Sequence, residues 1–345
     1  MFLSIFDVFK IGVGPSSSHT MGPMIAAGRF LGALREGADV IPGAGKLAGL
    51  GCTLHGSLAF TGKGHGTDRA VMLGLAGFLP DDFDAARAAE TEARIHDTGM
   101  VEAPGLGALA LVRDRDIVFD YGAALPGHAN GMVLRAVDER GALYMQETYY
   151  SVGGGFVLTE REMRALGDAD APVDVPYPFR SAAEMLAMAA RSGLSIAQMK
   201  LENEKAGGQR DLTRRINRLW EVMETSIATG LTADGTLPGS LKVRRRAKRI
   251  HDALLAERGT NLAAPHTVND WISVYAMAVN EVNADGGQIV TAPTNGAAGV
   301  VPAVLKYYLE HVPGARRDRV PEFLLTAAAI GGLIKTNASI SGAEV

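Results

Sequence analysis

The sequence predicts an α+β protein, with an N-terminal mixed α/β domain followed by an all-helical domain. Three observations carry that expectation. Over residues 1–160, short apolar or alternating runs are divided by glycines and charged turns, the pattern of strands interleaved with helices. From residue 181 to 345 the apolar positions recur at the helical period through seven successive segments. Between the two, residues 161–180 carry Pro172, Pro176 and Pro178 among several acids, which marks a linker. A length of 345 residues suits about two ordinary domains, each large enough to bury a core without disulfides.

The elements follow in order. A helix is expected over residues 21–35, directly behind a polar run that suits a helix start. Residues 47–61, 108–121 and 132–152 are expected to hold strands, with Glu139-Arg140-Gly141 as a hairpin turn. Asp68 is expected to cap a helix over 69–79, with a more polar surface helix over 82–95. Beyond the linker, helices are expected at 182–191, 196–205, 212–229, 241–257, 268–282, 300–311 and 321–335. There is no convincing internal repeat and no low-complexity tract.

Composition narrows the function. Hydrophobic residues make up 47% of the chain, and 34 basic against 38 acidic side chains leave a net charge of −4, too near neutral for a nucleic-acid binder. Small-molecule chemistry is the expected class. The single cysteine, Cys52, allows neither an internal disulfide nor a cysteine-ligated metal within this chain, and it fits a reducing compartment. Residues 1–7 lack a basic leader, and the longest apolar stretch, 323–334, is broken by Thr326 and two glycines, so no secretory signal or membrane span is expected. The expected location is cytoplasmic. The 42 glycines exceed the ~7% of average usage, and many sit beside Ser, Thr, His and Asn, which suggests backbone packed close to ligands.

Three segments are rich in chemistry. Gly14-Pro15-Ser16-Ser17-Ser18-His19-Thr20 places five hydrogen-bonding side chains before a helix start, where unpaired N–H groups and the dipole favour an anion. One Ser or Thr would serve as a cap; four and a histidine exceed what capping requires. His55 to Asp68 ends a strand in a glycine-flanked loop that carries Lys63 and His65. A histidine between two glycines has no sequence neighbour to pack on and a pKa suited to proton transfer, although a plain surface histidine fits the same pattern. Lys63 either holds an anion or is solvated. In Asp285 to Gly299, Thr294, Asn295 and Gly296 lie on a tight turn entering a helix, suited equally to a cap and to a ligand; the Gly-Lys-Ser or Gly-Lys-Thr ending of a Walker motif is absent.

Other features have structural explanations. Lys242 to Arg249 is dense in positive charge, but its helical spacing suits a solvated face and no aromatics interleave for bases. His266 with Asn269-Asp270-Trp271 suits a helix start, while His128, His251 and His311 show no metal-ligand spacing. Lys335 lacks the glycine-rich phosphate loop that a pyridoxal-phosphate lysine needs.

Taken together, Gly-Pro-Ser-Ser-Ser-His-Thr-Met-Gly-Pro, Thr-Gly-Lys-Gly-His-Gly-Thr-Asp, Thr-Ala-Pro-Thr-Asn-Gly-Ala-Ala-Gly and Asn-Ala-Ser-Ile-Ser-Gly-Ala-Glu resemble the bacterial iron–sulfur L-serine dehydratases, or L-serine ammonia-lyases. The resemblance runs from Met1 to Val345 in family order and matches the form in which β-type and α-type parts are fused. It implies conversion of L-serine to pyruvate and ammonia in amino-acid catabolism and gluconeogenesis, on a [4Fe–4S] cluster with one iron open to substrate. It further implies His65 as the base at the α-carbon, and Ser16, Ser17, Ser18, His19 and Thr20 as groups holding the carboxylate or amine. Thr294, Asn295 and Gly296 would complete the cradle at a cleft between the domains, with Lys63 and Asn337 as weaker contacts. A homodimer is implied for the full-length form, with neither nucleic acid nor membrane as partner.

The departure from the family lies at the end. There, Ser-Gly-Ala-Glu-Val is followed by a Gly-Cys-Gln-Gly-Glu motif carrying the first cluster cysteine, and this chain stops before it. Cys52 matches none of the cluster ligands. The expectation is a helical domain truncated at its C-terminus, without cluster ligands and inactive alone; a non-catalytic amino-acid or carboxylate binding protein is the alternative.

Overall fold

The computed structural model describes residues 2–37, 39–165, 174–239, 241–258 and 266–337, with Thr336 and Asn337 described by backbone only. The chain divides into two compact units, Pro15–Asp170 and Met1–Gly14 with Ala171–Val345. The strands run in chain order as β1 (Lys10–Val13), β2 (Leu47–His55), β3 (Met100–Ala103), β4 (Gly107–Ala110), β5 (Ile117–Asp120), β6 (Gly131–Asp138), β7 (Leu143–Ser151), β8 (Val157–Thr159) and β9 (Gln288–Thr291).

In the unit Pro15–Asp170 one mixed sheet has the order β3-β4-β2-β6-β7-β8, with β5 also paired to β2. Its centre follows from period-2 alternation. Leu50, Cys52 and Leu54 are buried on β2 and stand opposite Ala136, Leu134 and Met132 of β6, all buried as well. Each such leucine contributes about 1.5–3 kcal/mol of burial. The β6–β7 hairpin turns where expected: Asp138 Oδ1 accepts the N–H groups of Arg140 and Ala142, both at 2.9 Å, and Gly141 takes φ +77°. Against this sheet unit run helices Gly22–Glu36 and Thr67–Leu75, which cross closely: a Cβ on Gly74 would lie 2.5 Å from the Met24 carbonyl oxygen.

Three local expectations shift here. The run 47–61 is a strand only to His55, because Gly56 takes φ +54° and leads into the short helix Ser57–Phe60. Asp68 does not cap the next helix; Gly66 occupies that position and Asp68 accepts a hydrogen bond from Arg113 Nε at 2.9 Å. The helix expected at 82–95 is Ala85–Thr98, capped by Asp84, whose side chain accepts from Arg87 N.

The second unit contains the helices Ala182–Ser192, Ile196–Ala206, Leu212–Thr232, Ala247–Glu257, Thr267–Ala284, Val300–His311 and Val320–Asn337. The segment expected at 241–257 becomes helical only at Ala247, where the buried Glu281 carboxylate accepts from the N–H groups of Arg246 and Ala247 at 2.6 and 3.2 Å. Among the described residues, no helix is long and apolar enough to cross a membrane.

Residues 1–14 were expected with the mixed domain, as part of 1–160, yet they go with the helical unit. Four-residue β1 pairs antiparallel with β9, Lys10 opposite Thr291 and Val13 opposite Gln288, so the helical unit also holds a two-stranded ladder. Ile5, Val8 and Phe9 are buried with Trp220, Leu305 and Leu324 in one core. The buried Glu204 carboxylate accepts from Ser4 Oγ at 2.7 Å and Ile5 N at 2.6 Å, while Lys200 donates to the Leu3 carbonyl and pairs with Glu204 at 3.0 Å. Nothing in local sequence marks the bonds from residues 3–5 to Lys200 and Glu204, which span some two hundred positions.

Candidate functional site

The serine-rich run forms a turn that folds on itself. Ser16 is extended (φ −134°, ψ 137°), and Ser17–Met21 form a π-helical turn, a form that favours functional sites, ahead of the helix Gly22–Glu36. Ser16 Oγ accepts from His19 N at 3.1 Å, the Ser16 carbonyl accepts from Thr20 N and Met21 N at 3.1 Å each, and Ser16 N donates to Thr20 Oγ1 at 3.2 Å. The N–H groups of His19, Thr20 and Met21 are thus spent inside the turn. Ser17 is buried within it, and Ser18 gives its carbonyl to Ser151 Oγ at 2.7 Å. Gly22 is needed for that approach, since a Cβ there would lie 2.0 Å from Ser151 Oγ.

His19 lies at the centre, 2% exposed. Ser18 Oγ is 2.9 Å from its Nδ1 and Ser57 Oγ is 3.0 Å from its Nε2, so each ring nitrogen meets a serine hydroxyl and the ring holds the turn together. Burial, and next the neighbouring His65, lower its pKa from 6.5 to about 4, so its ring is neutral at pH 7.

His65 sits beside it, ring centroids 4.9 Å apart and planes tilted by 39°. The half-buried His65 places Nδ1 2.9 Å from the Thr61 carbonyl oxygen. A carbonyl only accepts, so Nδ1 carries the hydrogen and Nε2 keeps its lone pair, the tautomer a general base requires. Two reciprocal bonds lock the loops together: Thr20 Oγ1 donates to the His65 carbonyl at 2.9 Å, and Thr67 Oγ1 to the His19 carbonyl at 2.6 Å.

Ser16, Ser18, His19, Thr20 and His65 therefore share one bonded network. Lys63 does not join it; exposed, it places Nζ 5.6 Å from the centroid of Phe119, beside a hollow that Asp68 and Arg113 also line. Ser57, Thr61, Thr67 and Ser151 belong to the network but escaped the sequence reading. The only signal for Ser57 was Gly56, where a Cβ would meet the Ala129 carbonyl oxygen at 2.4 Å and which turns the strand end toward the loop.

In the helical unit, Thr294 accepts from Ala297 N at 3.3 Å and so caps the short 3₁₀ turn Asn295–Ala297. Asn295 is 2% exposed and donates Nδ2 to the Val13 carbonyl at 3.1 Å and to Asn283 Oδ1 at 3.0 Å, while its own Oδ1 has no partner among the described residues. Gly296 is exposed, and a Cβ there would meet nothing within 4 Å. Asn337 ends the helix Val320–Asn337, and its side chain lies outside the described residues.

Comparison with known proteins decides the lineage. A family model described as "Serine dehydratase beta chain" matches residues 4–162, and one described as "Serine dehydratase alpha chain" matches 191–345. The chain belongs to the serine dehydratase family. An L-serine dehydratase of Streptomyces coelicolor is 47% identical over 100% of this chain and 74% of its own length. L-serine dehydratase 2 of Escherichia coli is 42% identical over 99% of this chain and 74% of its own, and the L-serine dehydratase of Helicobacter pylori 40% over 99% and 73%. The family's beta-chain match holds the histidine network and its alpha-chain match holds the Thr294–Gly296 turn.

The residues described do not fit the iron–sulfur cluster that the resemblance implies. Cys52 is fully buried on β2, and burial pushes its thiol up to about 12, far from the thiolate a cluster iron binds. Among the described residues no three His, Cys, Asp or Glu side chains gather as metal ligands.

Proposed function

We propose that this chain carries the substrate-binding and proton-abstracting part of an L-serine ammonia-lyase, with His65 as the base. The observation that carries the reading is the Nδ1 hydrogen bond of His65 to the Thr61 carbonyl, which leaves Nε2 basic beside a serine-rich turn. In the elimination, Nε2 takes the proton from the α-carbon of L-serine, the electron pair forms the α,β double bond, and the β-carbon–oxygen bond breaks to release hydroxide, which the abstracted proton, returned by the His65 imidazolium directly or through solvent, converts to water. The resulting enamine tautomerises to an imine and is hydrolysed to pyruvate and ammonia. The hydroxyls of Ser16, Ser17, Ser18 and Thr20 are proposed to hold the carboxylate or amine, with His19 fixing their geometry. Thr294, Asn295 and Gly296 are proposed as contacts of the helical unit, where the orphan Oδ1 of Asn295 is an acceptor and suits an ammonium or hydroxyl better than a carboxylate.

None of the described residues supplies the electrophile that the departing hydroxyl needs. The same proposal places the cluster ligands in the part of the longer relatives that this chain does not match, with the homodimer and the cytoplasmic location implied for the full-length form. A reading as a non-catalytic amino-acid binder keeps the network and drops the elimination.

Calorimetric titration tests the substrate assignment that both readings share. L-serine is expected to bind saturably, D-serine and propionate at least tenfold more weakly, with pyruvate undetectable from this chain alone. Absence of L-serine binding would overturn the substrate assignment, and pyruvate release would overturn the placement of the cluster.

A further inference from the structure

Resting on the reading of His65 as the base, we propose that Ser57 is a positioning residue, which orients the His19 ring with its hydroxyl and the His65 ring through Thr61. Ser57 is half-buried and touches both histidines' supports at once. Its Oγ lies 3.0 Å from His19 Nε2; its carbonyl accepts from Thr61 N at 3.0 Å and Thr61 Oγ1 at 2.8 Å; and Thr61 passes its own carbonyl to His65 Nδ1 at 2.9 Å. The four-residue steps from 57 to 61 to 65 make this chain of bonds possible along one short helical stretch.

Ser57 itself is pinned. Its N–H donates to the Ala129 carbonyl at 2.9 Å, and Gly56, at φ +54°, allows that loop segment to approach, since any Cβ would sit 2.4 Å from the same oxygen. The two histidines are held by different chemistry. His65 faces a carbonyl, which admits only one tautomer, whereas His19 lies between the hydroxyls of Ser57 and Ser18, each able to donate or accept. Removing either hydroxyl removes that match and leaves a ring nitrogen bare in a buried site. The ring packed at 4.9 Å beside His65 then loses its fixed orientation, and His65 loses its backing.

The test uses the whole chain with ¹⁵N-labelled histidine, reading ring tautomers by long-range proton–nitrogen correlation together with L-serine affinity. Wild type is expected to show a neutral His19 ring with a defined ratio of tautomers and a His65 signal that moves with L-serine. Ser57→Ala, and Ser57→Cys, which keeps the side chain's shape with a weak sulfur partner, are expected to shift the His19 tautomer ratio and weaken L-serine about tenfold, the scale of one lost hydrogen bond. Ser57→Thr, which restores a hydroxyl, should recover both. If Ser57→Ala and Ser57→Cys leave the His19 tautomer and the L-serine affinity as in wild type, the positioning role is overturned. If His65 ignores L-serine in the wild type while His19 still depends on Ser57, the positioning role stands and the functional reading falls.

Discussion

The serine-rich turn of the mixed unit and the Thr294–Gly296 turn of the helical unit look alike in sequence, each a polar cluster ahead of a helix, but they spend their polar groups differently. Around His19 and His65 the hydroxyls bond to rings and carbonyls of neighbouring loops, and the network converges on one nitrogen with a lone pair, Nε2 of His65. At Asn295 the amide nitrogen is taken by the Val13 carbonyl and Asn283, which ties that turn to the β1–β9 ladder, and only the amide oxygen is left over. A polar turn becomes a reactive site only when its hydrogen bonds leave a titratable atom over.

Substitutions break that comparison in graded steps. The largest effect is expected on the bracing side. In Gly14→Ala the new Cβ would fall 1.7 Å from the Asn283 carbonyl oxygen, backbone against backbone, so a loss of about 3 kcal/mol or more is expected in urea unfolding. On the network side, acid is the probe. Because the His19 pKa lies at about 4 in the folded chain against 6.5 unfolded, between those values the unfolded chain binds a proton that the folded one refuses. Stability therefore falls as pH drops through that window, by about 3 kcal/mol in total, and levels off below it. His19→Gln should shrink that slope in unfolding curves taken between pH 7 and 4.

Asn295→Ala comes next. It strands the Val13 carbonyl in a buried site, for an expected loss of about 1–3 kcal/mol, visible as a lower thermal midpoint. Smallest is His65→Asn, expected to change unfolding by less than about 0.5 kcal/mol because the ring is only half-buried. It should retain L-serine binding while the network loses its base.

The sequence made the long-period features legible. Six of the seven helices beyond the linker lie within a few residues of their expected spans, and the Asp138–Gly141 hairpin turns at the expected residues, because side-chain periodicity and turn chemistry are local. What escaped was non-local. The β1–β9 ladder joins two four-residue strands some 280 positions apart, and neither is long enough to show alternation. Glu281, not the charge run at 242–249, sets where the helix at Ala247 begins. Within the site, the polar residues themselves stood out, but their bonding did not: the hydroxyls of Ser18 and Ser57 on the two His19 nitrogens come from positions 1 and 38 residues away, which no local pattern joins.

The most direct test of the account is the ring spectrum of His65, identified among the 8 histidines by its loss in His65→Asn. The account predicts hydrogen on Nδ1 and an Nε2 resonance that moves as L-serine is added. Hydrogen on Nε2 instead, or a resonance indifferent to L-serine, would contradict it.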